Sequence, residues 1–166
     1  WDALWSFLDT DNSDSKDGRV FFTPNTYLGY NGTVDGSWQW FDCNKADTTV
    51  NDILVNSWHY VTVSLGISDF GIYVDGKPVV TKSKYTKFDS NTPYGGLSSN
   101  MLKVIASADK FYLGYGSFWG SAPAYMDNVR IYGRALTAGD IGALYKAEKA
   151  ETEAEKKAET QKEQTM

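Results

Sequence analysis

The stretch FYLGYGSFWGSAPAYMDNVRIYGRALTAGDIGALY, residues 111–145, decides how the rest of the chain is read. Residues 111–113 are apolar and β-prone. Residues 114–123 form a loop rich in Gly, Ser and aromatic rings. Residues 125–132 alternate, with Val129 and Ile131 on one face and Arg130 and Tyr132 on the other, which is the period of a half-buried strand. Asp127 shares the parity of Val129 and Ile131. It is therefore expected on the core side, where a carboxylate needs hydrogen bonds, a place at the strand end, or a cation. Thr137 stands where an N-cap belongs, with Asp140 three residues on as a variant of the capping box. Ile141, Leu144 and Tyr145 then give a short helix its apolar stripe.

Working outward, the preceding chain reads as short strands separated by turns. Residues 3–8 and 19–22 are expected strands around a polar loop, DTDNSDSKDG, at 9–18. Strands are also expected at 27–30 and at 38–41, with a turn-rich loop at 31–36 between them. The clearest strand is WHYVTVSL, residues 58–65, with Val61, Val63 and Leu65 on one face. Residues 70–74 and 78–81 flank Asp75-Gly76, the strongest hairpin signal in the chain. Residues 98–108 have helical spacing through Met101, Leu102 and Ile105, with Ser98 or Ser99 as the N-cap. Beyond Tyr145 the sequence KAEKAETEAEKKAETQKEQTM has no apolar face. It is expected to prolong the last helix and then fray into a linker or stalk, residues 146–166.

Composition bounds the function. At 166 residues the chain is one domain plus an appendage. Aromatic residues are 15% of it, with 6 Trp and 11 Tyr, more than packing demands, so some rings are expected at the surface for recognition. Residues 1–145 hold 15 Asp, 11 Lys plus Arg and no Glu, while all 6 Glu follow from Glu148. A mildly acidic domain without a basic patch argues against nucleic acid as partner. Cys43 is alone and cannot form an intrachain disulfide. No 18-residue apolar run offers a membrane span.

The ordered series WHYVTV (58–63), IYVDGK (72–77), YLG (112–114) and DNVRIYGRAL (127–136) resembles the laminin-G-like jelly roll of the concanavalin A-like lectin/glucanase superfamily, in its bacterial form. The resemblance covers residues 1–145. It implies an all-β fold: a two-sheet antiparallel jelly-roll β-sandwich. It also implies glycan binding or adhesion, an extracellular or cell-surface setting tethered to other domains, and a structural calcium ion. Members of this family carry further strands ahead of the position of Trp1, so the resemblance implies N-terminal strands that this sequence does not contain.

The superfamily's retaining glucanases set two carboxyls about 5 Å apart on a Glu-bearing strand. Without Glu in residues 1–145, hydrolysis is not expected. Polysaccharide binding through stacked rings is, because Trp and Tyr planes cover the C–H faces of sugars. The candidate rings are Trp119, Trp38, Tyr94 and Tyr115. Trp119 leads, since a loop position between Phe118 and Gly120 has few neighbours to bury it. Trp58 opens a core strand and reads as structural. Asp127 is the candidate calcium ligand, weighed against a carboxylate that caps loop amides. The Asp9, Asp11, Asp14, Asp17 loop reads as a solvated hairpin tip, since it lacks the glycine and terminal Glu of a calcium loop. His59, the only histidine, is expected to be a packed and hydrogen-bonded residue. An adhesion module that binds protein is the alternative function.

Overall fold

The computed structural model of the chain describes residues 2–11, 18–24, 28–34, 37–43, 57–67, 70–81, 97–116 and 123–163. Among these, eight strands and two helices follow in the order β1 (Trp5–Asp9), β2 (Gly18–Phe22), β3 (Leu28–Val34), β4 (Ser37–Cys43), β5 (Val61–Leu65), β6 (Phe70–Val74), β7 (Lys77–Thr81), α1 (Leu97–Ser107), β8 (Lys110–Leu113) and α2 (Ala138–Glu163). They form two antiparallel sheets, a five-stranded one in the order β4-β3-β2-β1-β8 and a three-stranded one, β5-β6-β7. This is the expected β-sandwich.

The sheets meet through one apolar layer. Val20, Phe22 and Leu28 of the large sheet pack with Phe70, Ile72 and Val79 of the small one, and α1 adds Met101 and Val104. Fully burying a side chain such as Phe22 or Ile72 contributes about 1.5–3 kcal/mol. Every residue of β2 is buried, because its opposite face is covered as well, with Phe21 packed against Ala3. The ring of Phe21 lies over Gly29, where a Cβ would come 2.3 Å from Cζ, so only glycine fits there. In the β6–β7 turn, Asp75 and Gly76 have φ of 52° and 73°, the left-handed pair of a type I′ hairpin.

Several expectations change. The hairpin partner of β4 runs through Val34, so the turn-rich loop read at 31–36 is largely strand. Helix α1 starts at Leu97, which places Ser98 and Ser99 inside it rather than at its cap. Asp9, read as part of a solvated hairpin tip, ends β1 and is buried. Its carboxylate accepts the Ser107 hydroxyl at 2.6 Å and the Asp11 amide at 3.1 Å, tying the end of α1 to the sheet. Asp14 and Asp17 lie outside the described residues.

The largest change concerns residues 125–132. They pair with no described strand, and Val129 and Ile131, assigned to the core, are exposed. Asn128 interrupts the extended chain with φ of 52°, a left-handed conformation that Asn tolerates better than most residues. Alternation in sequence supplies a face, but a strand also needs a neighbour to take its amides and carbonyls, and no described strand provides one.

Helix α2 begins as the sequence predicts. Thr137 Oγ1 accepts the Asp140 amide at 3.1 Å, while Asp140 Oδ2 accepts the Thr137 amide at 2.9 Å, a closed capping box. Just ahead of it, Ser64 of β5 donates its hydroxyl to the Leu136 carbonyl at 2.9 Å and accepts the Leu136 amide at 3.0 Å. The helix then continues without a break through residue 145 to Glu163, so the tail prolongs it as expected.

Candidate functional site

Two surfaces carry chemistry. The first is the outer edge of the large sheet at β8. Tyr115, 41% exposed, sits edge-on to Tyr112 with ring centroids 5.3 Å apart. The Tyr115 carbonyl accepts the hydroxyl of the buried Ser6 at 2.8 Å, which anchors the backbone under the ring. Gly114 turns the chain here at φ of 70° with its amide bound to the Leu4 carbonyl. Tyr125 and Met126 are exposed nearby in sequence, and the Met126 methyl lies 3.5 Å from where a Gly114 Cβ would stand.

Of the other candidate rings, Trp119 and Tyr94 fall outside the described residues. Trp38 belongs to β4, opposite Thr33 in the register; its side chain is outside the description. The structure thus brings Tyr115 together with Tyr112.

Asp127 is exposed rather than core-facing. Its Oδ1 accepts the Asn128 amide at 2.7 Å, the local amide cap weighed against calcium from the sequence. Calcium needs six to eight oxygens. Among the described residues no group of three His, Cys, Asp or Glu converges, so these side chains alone do not complete a site around Asp127.

The second surface lies where the chain entering β5 meets α2. Tyr60, just before β5, is partly buried, with its ring 6.1 Å from that of Tyr145. Burial, then the neighbouring Tyr132, raises the Tyr60 phenol above its ordinary pKa. Arg130 pairs with Glu148, and Glu148 also accepts the Asn128 side-chain amide at 3.1 Å. The Arg130 guanidinium, hydrogen-bonded to Tyr132 and facing Glu148, is held above its usual range. Composition assigned Glu148 to the tail; α2 instead carries it one turn beyond Tyr145 onto the domain, with only 13% of its side chain exposed. Trp58, read as structural at the start of a core strand, precedes β5 and is 71% exposed.

A polar chain runs from the segment before β5 to the β6–β7 turn. His59 Nδ1 is 2.8 Å from Asp75 Oδ2, and its Nε2 is 2.9 Å from Ser57 Oγ. The other Asp75 oxygen accepts the Tyr60 amide at 3.0 Å. His59 is the satisfied packing histidine the sequence predicts. The connectivity is also that of a charge relay, which catalyses acyl transfer only beside an oxyanion hole and a cleft. Here its evident work is to fasten the hairpin turn to the chain entering β5.

These features sit on a recognisable scaffold. A solved S-layer domain-containing protein (residues 221–444) from Clostridium thermocellum ATCC 27405 is similar at 18% identity and a TM-score of 0.42, with 86% of this chain and 62% of that chain covered. No curated protein matches. The laminin-G-type signature of the Concanavalin A-like lectin/glucanases superfamily matches residues 3–142, which include both sheets, and the chain therefore belongs to that superfamily.

Proposed function

We propose that this domain is a non-catalytic carbohydrate-binding module of a larger extracellular or cell-surface bacterial protein, and that it holds polysaccharide by aromatic stacking. The observation that carries the reading is the exposed Tyr115, set edge-on to Tyr112 and anchored from below by Ser6. A ring held in one orientation can stack on a sugar with little further loss of freedom. Superfamily membership and the aromatic excess support it. The lack of Glu in residues 1–145 supports binding over hydrolysis.

Affinity electrophoresis across plant and host polysaccharides tests the reading. The wild-type chain is expected to be retarded by at least one of them. Tyr115→Ala and Trp119→Ala are expected to weaken that retardation while leaving the melting curve in place. Retardation by none of the panel would count decisively against glycan binding. Recovery of a protein ligand without glycan dependence would favour the adhesion alternative. No reducing sugar should be released from any polysaccharide bound. The calcium proposed at Asp127 would draw its remaining oxygens from backbone carbonyls or water, and chelator should then lower the melting temperature. An unshifted melt removes the ion from the account.

A further inference from the structure

We infer that Ser57, backed by His59 and Asp75, is a covalent acylation site: it takes one acyl group from an activated ester or thioester and holds it. The inference is independent of glycan binding and stands or falls without it.

The order of the atoms decides where the protons sit. An ionised carboxylate only accepts hydrogen bonds. Asp75 Oδ2, 2.8 Å from His59 Nδ1, therefore sets the proton of the neutral imidazole on Nδ1 and leaves a lone pair on Nε2. Ser57 Oγ, 2.9 Å from Nε2, then donates its hydroxyl to that lone pair. A serine hydroxyl donated to an imidazole, whose far nitrogen is held by a carboxylate, is the arrangement that activates a serine as nucleophile.

The base is held on rigid structure. Asp75 stands at φ of 52° in the β6–β7 turn, with its amide on the Tyr60 carbonyl at 2.8 Å and its Oδ1 on the Tyr60 amide at 3.0 Å. The carboxylate is thus aimed before any reagent arrives. The side chains of His59 and Asp75 are 15% and 35% exposed, whereas Ser57 is exposed. The relay is sheltered and its nucleophile is within reach of solvent. Bonds among His59, Tyr60 and Asp75 already fasten the hairpin, so fastening does not account for the hydroxyl on Nε2.

In the step, Ser57 Oγ bonds to the carbonyl carbon of the donor while its proton passes to His59 Nε2. The bond from that carbon to the phenol oxygen or thiol sulfur breaks, and the leaving group takes the proton back from the imidazolium. Asp75 stays ionised and stabilises the imidazolium meanwhile. The chain ends as a serine ester, and the donor as a free phenol or thiol. Turnover of ordinary esters needs an oxyanion hole. Capture from an activated donor depends less on one, because the leaving group itself accommodates the developing charge. The serine ester has only an alkoxide to expel, so capture outruns release.

The test treats the whole chain with para-nitrophenyl acetate and, separately, with a fluorophosphonate, on which Ser57 Oγ would bond to phosphorus as fluoride leaves. Intact mass and peptide mapping count the adducts and place them. The expected result is a single phosphonyl adduct on Ser57, absent from Ser57→Ala. Labelling should be roughly a hundredfold slower in His59→Gln with its melting curve intact. With the acetate, a rapid release of one equivalent of nitrophenol should accompany acetylation of Ser57, above the slow release that Ser57→Ala shares through its lysines. Should His59→Gln unfold, wild type in urea supplies the comparison, and Ser57 should then label as slowly as an ordinary serine. Labelling no faster in the folded chain than in urea, an adduct placed elsewhere, or a His59→Gln variant that folds and labels like wild type overturns the inference. Nitrophenol release that continues at its initial rate past one equivalent, and is lost in Ser57→Ala, overturns the retention of the acyl group.

Discussion

Asp140 shows how much one side chain can settle. It accepts from the amide and the hydroxyl of Thr137 and pairs with Arg134 at 2.9 Å. The Arg134 bond, followed by those from Thr137, pulls its carboxyl far below the ordinary 3.8. Because the folded-state value is depressed, the stability it confers is fully present above the ordinary carboxylate range and drains away as pH falls through the folded value. Wild type should therefore be more stable than Asp140→Asn at neutral pH, with the gap closing in acid, as urea melts at several pH values would record. Gly29 makes the opposite kind of prediction. Gly29→Ala drives a methyl into the buried Phe21 ring and should cost about 1–3 kcal/mol in chemical denaturation. The capping pair Thr137 and Asp140, the turn pair Asp75 and Gly76, and the satisfied His59 were all legible in the sequence, because each depends on chemistry local to the chain or on strand parity. Glu148 was not. Its partners lie 18 and 20 positions upstream, and nothing in a polar helix says which glutamate will reach them.

At the scale of elements, nine of the ten expected strands and helices before α2 were placed within a few residues, because turn chemistry brackets them. The strand expected at 125–132 failed for a reason that periodicity cannot reveal. Alternating Val129 and Ile131 describe a chain able to be a strand, whereas hydrogen-bonded neighbours decide whether it is one. Trp58 was read as structural because it was placed at the start of a core strand. The strand starts at Val61, and the three residues before it follow the hairpin turn through His59 and Tyr60. Helix α2 presents its own test. Ile141 is fully buried, while residues 149–158 are exposed without interruption. A chain ending after Tyr145 should lose stability, because Glu148 goes with the tail, whereas one ending after Glu151 should melt close to the full chain. Thermal unfolding of the two truncations separates the anchored part of the helix from its exposed continuation.

For the molecule as a whole, short alternating strands punctuated by turns were enough to read a β-sandwich, and the resemblance of the ordered motifs implied its jelly-roll form. The candidate surfaces were less legible. A stacking site depends on which rings escape burial, and that is set by packing between segments distant in sequence. Tyr115 stayed at the surface as expected, while Trp58, read as structural because it opens a core strand, is exposed.

The rooting of α2 also gives the domain a mechanical character. Its first turns are clamped by Ile141, by Tyr145 against Gly76 and Tyr60, and by Glu148 against Arg130. Residues 149–163 form a continuation whose described side chains are exposed from 149 to 158. A pull on that continuation would meet little resistance until it reached Glu148, so it would unwind first. Its 15 helical residues would lengthen from about 22 Å to about 50 Å before load reached the sheets. The helix would then act as a shock absorber in series with a stiff sandwich, taking up extension while the rings stayed seated on whatever they hold.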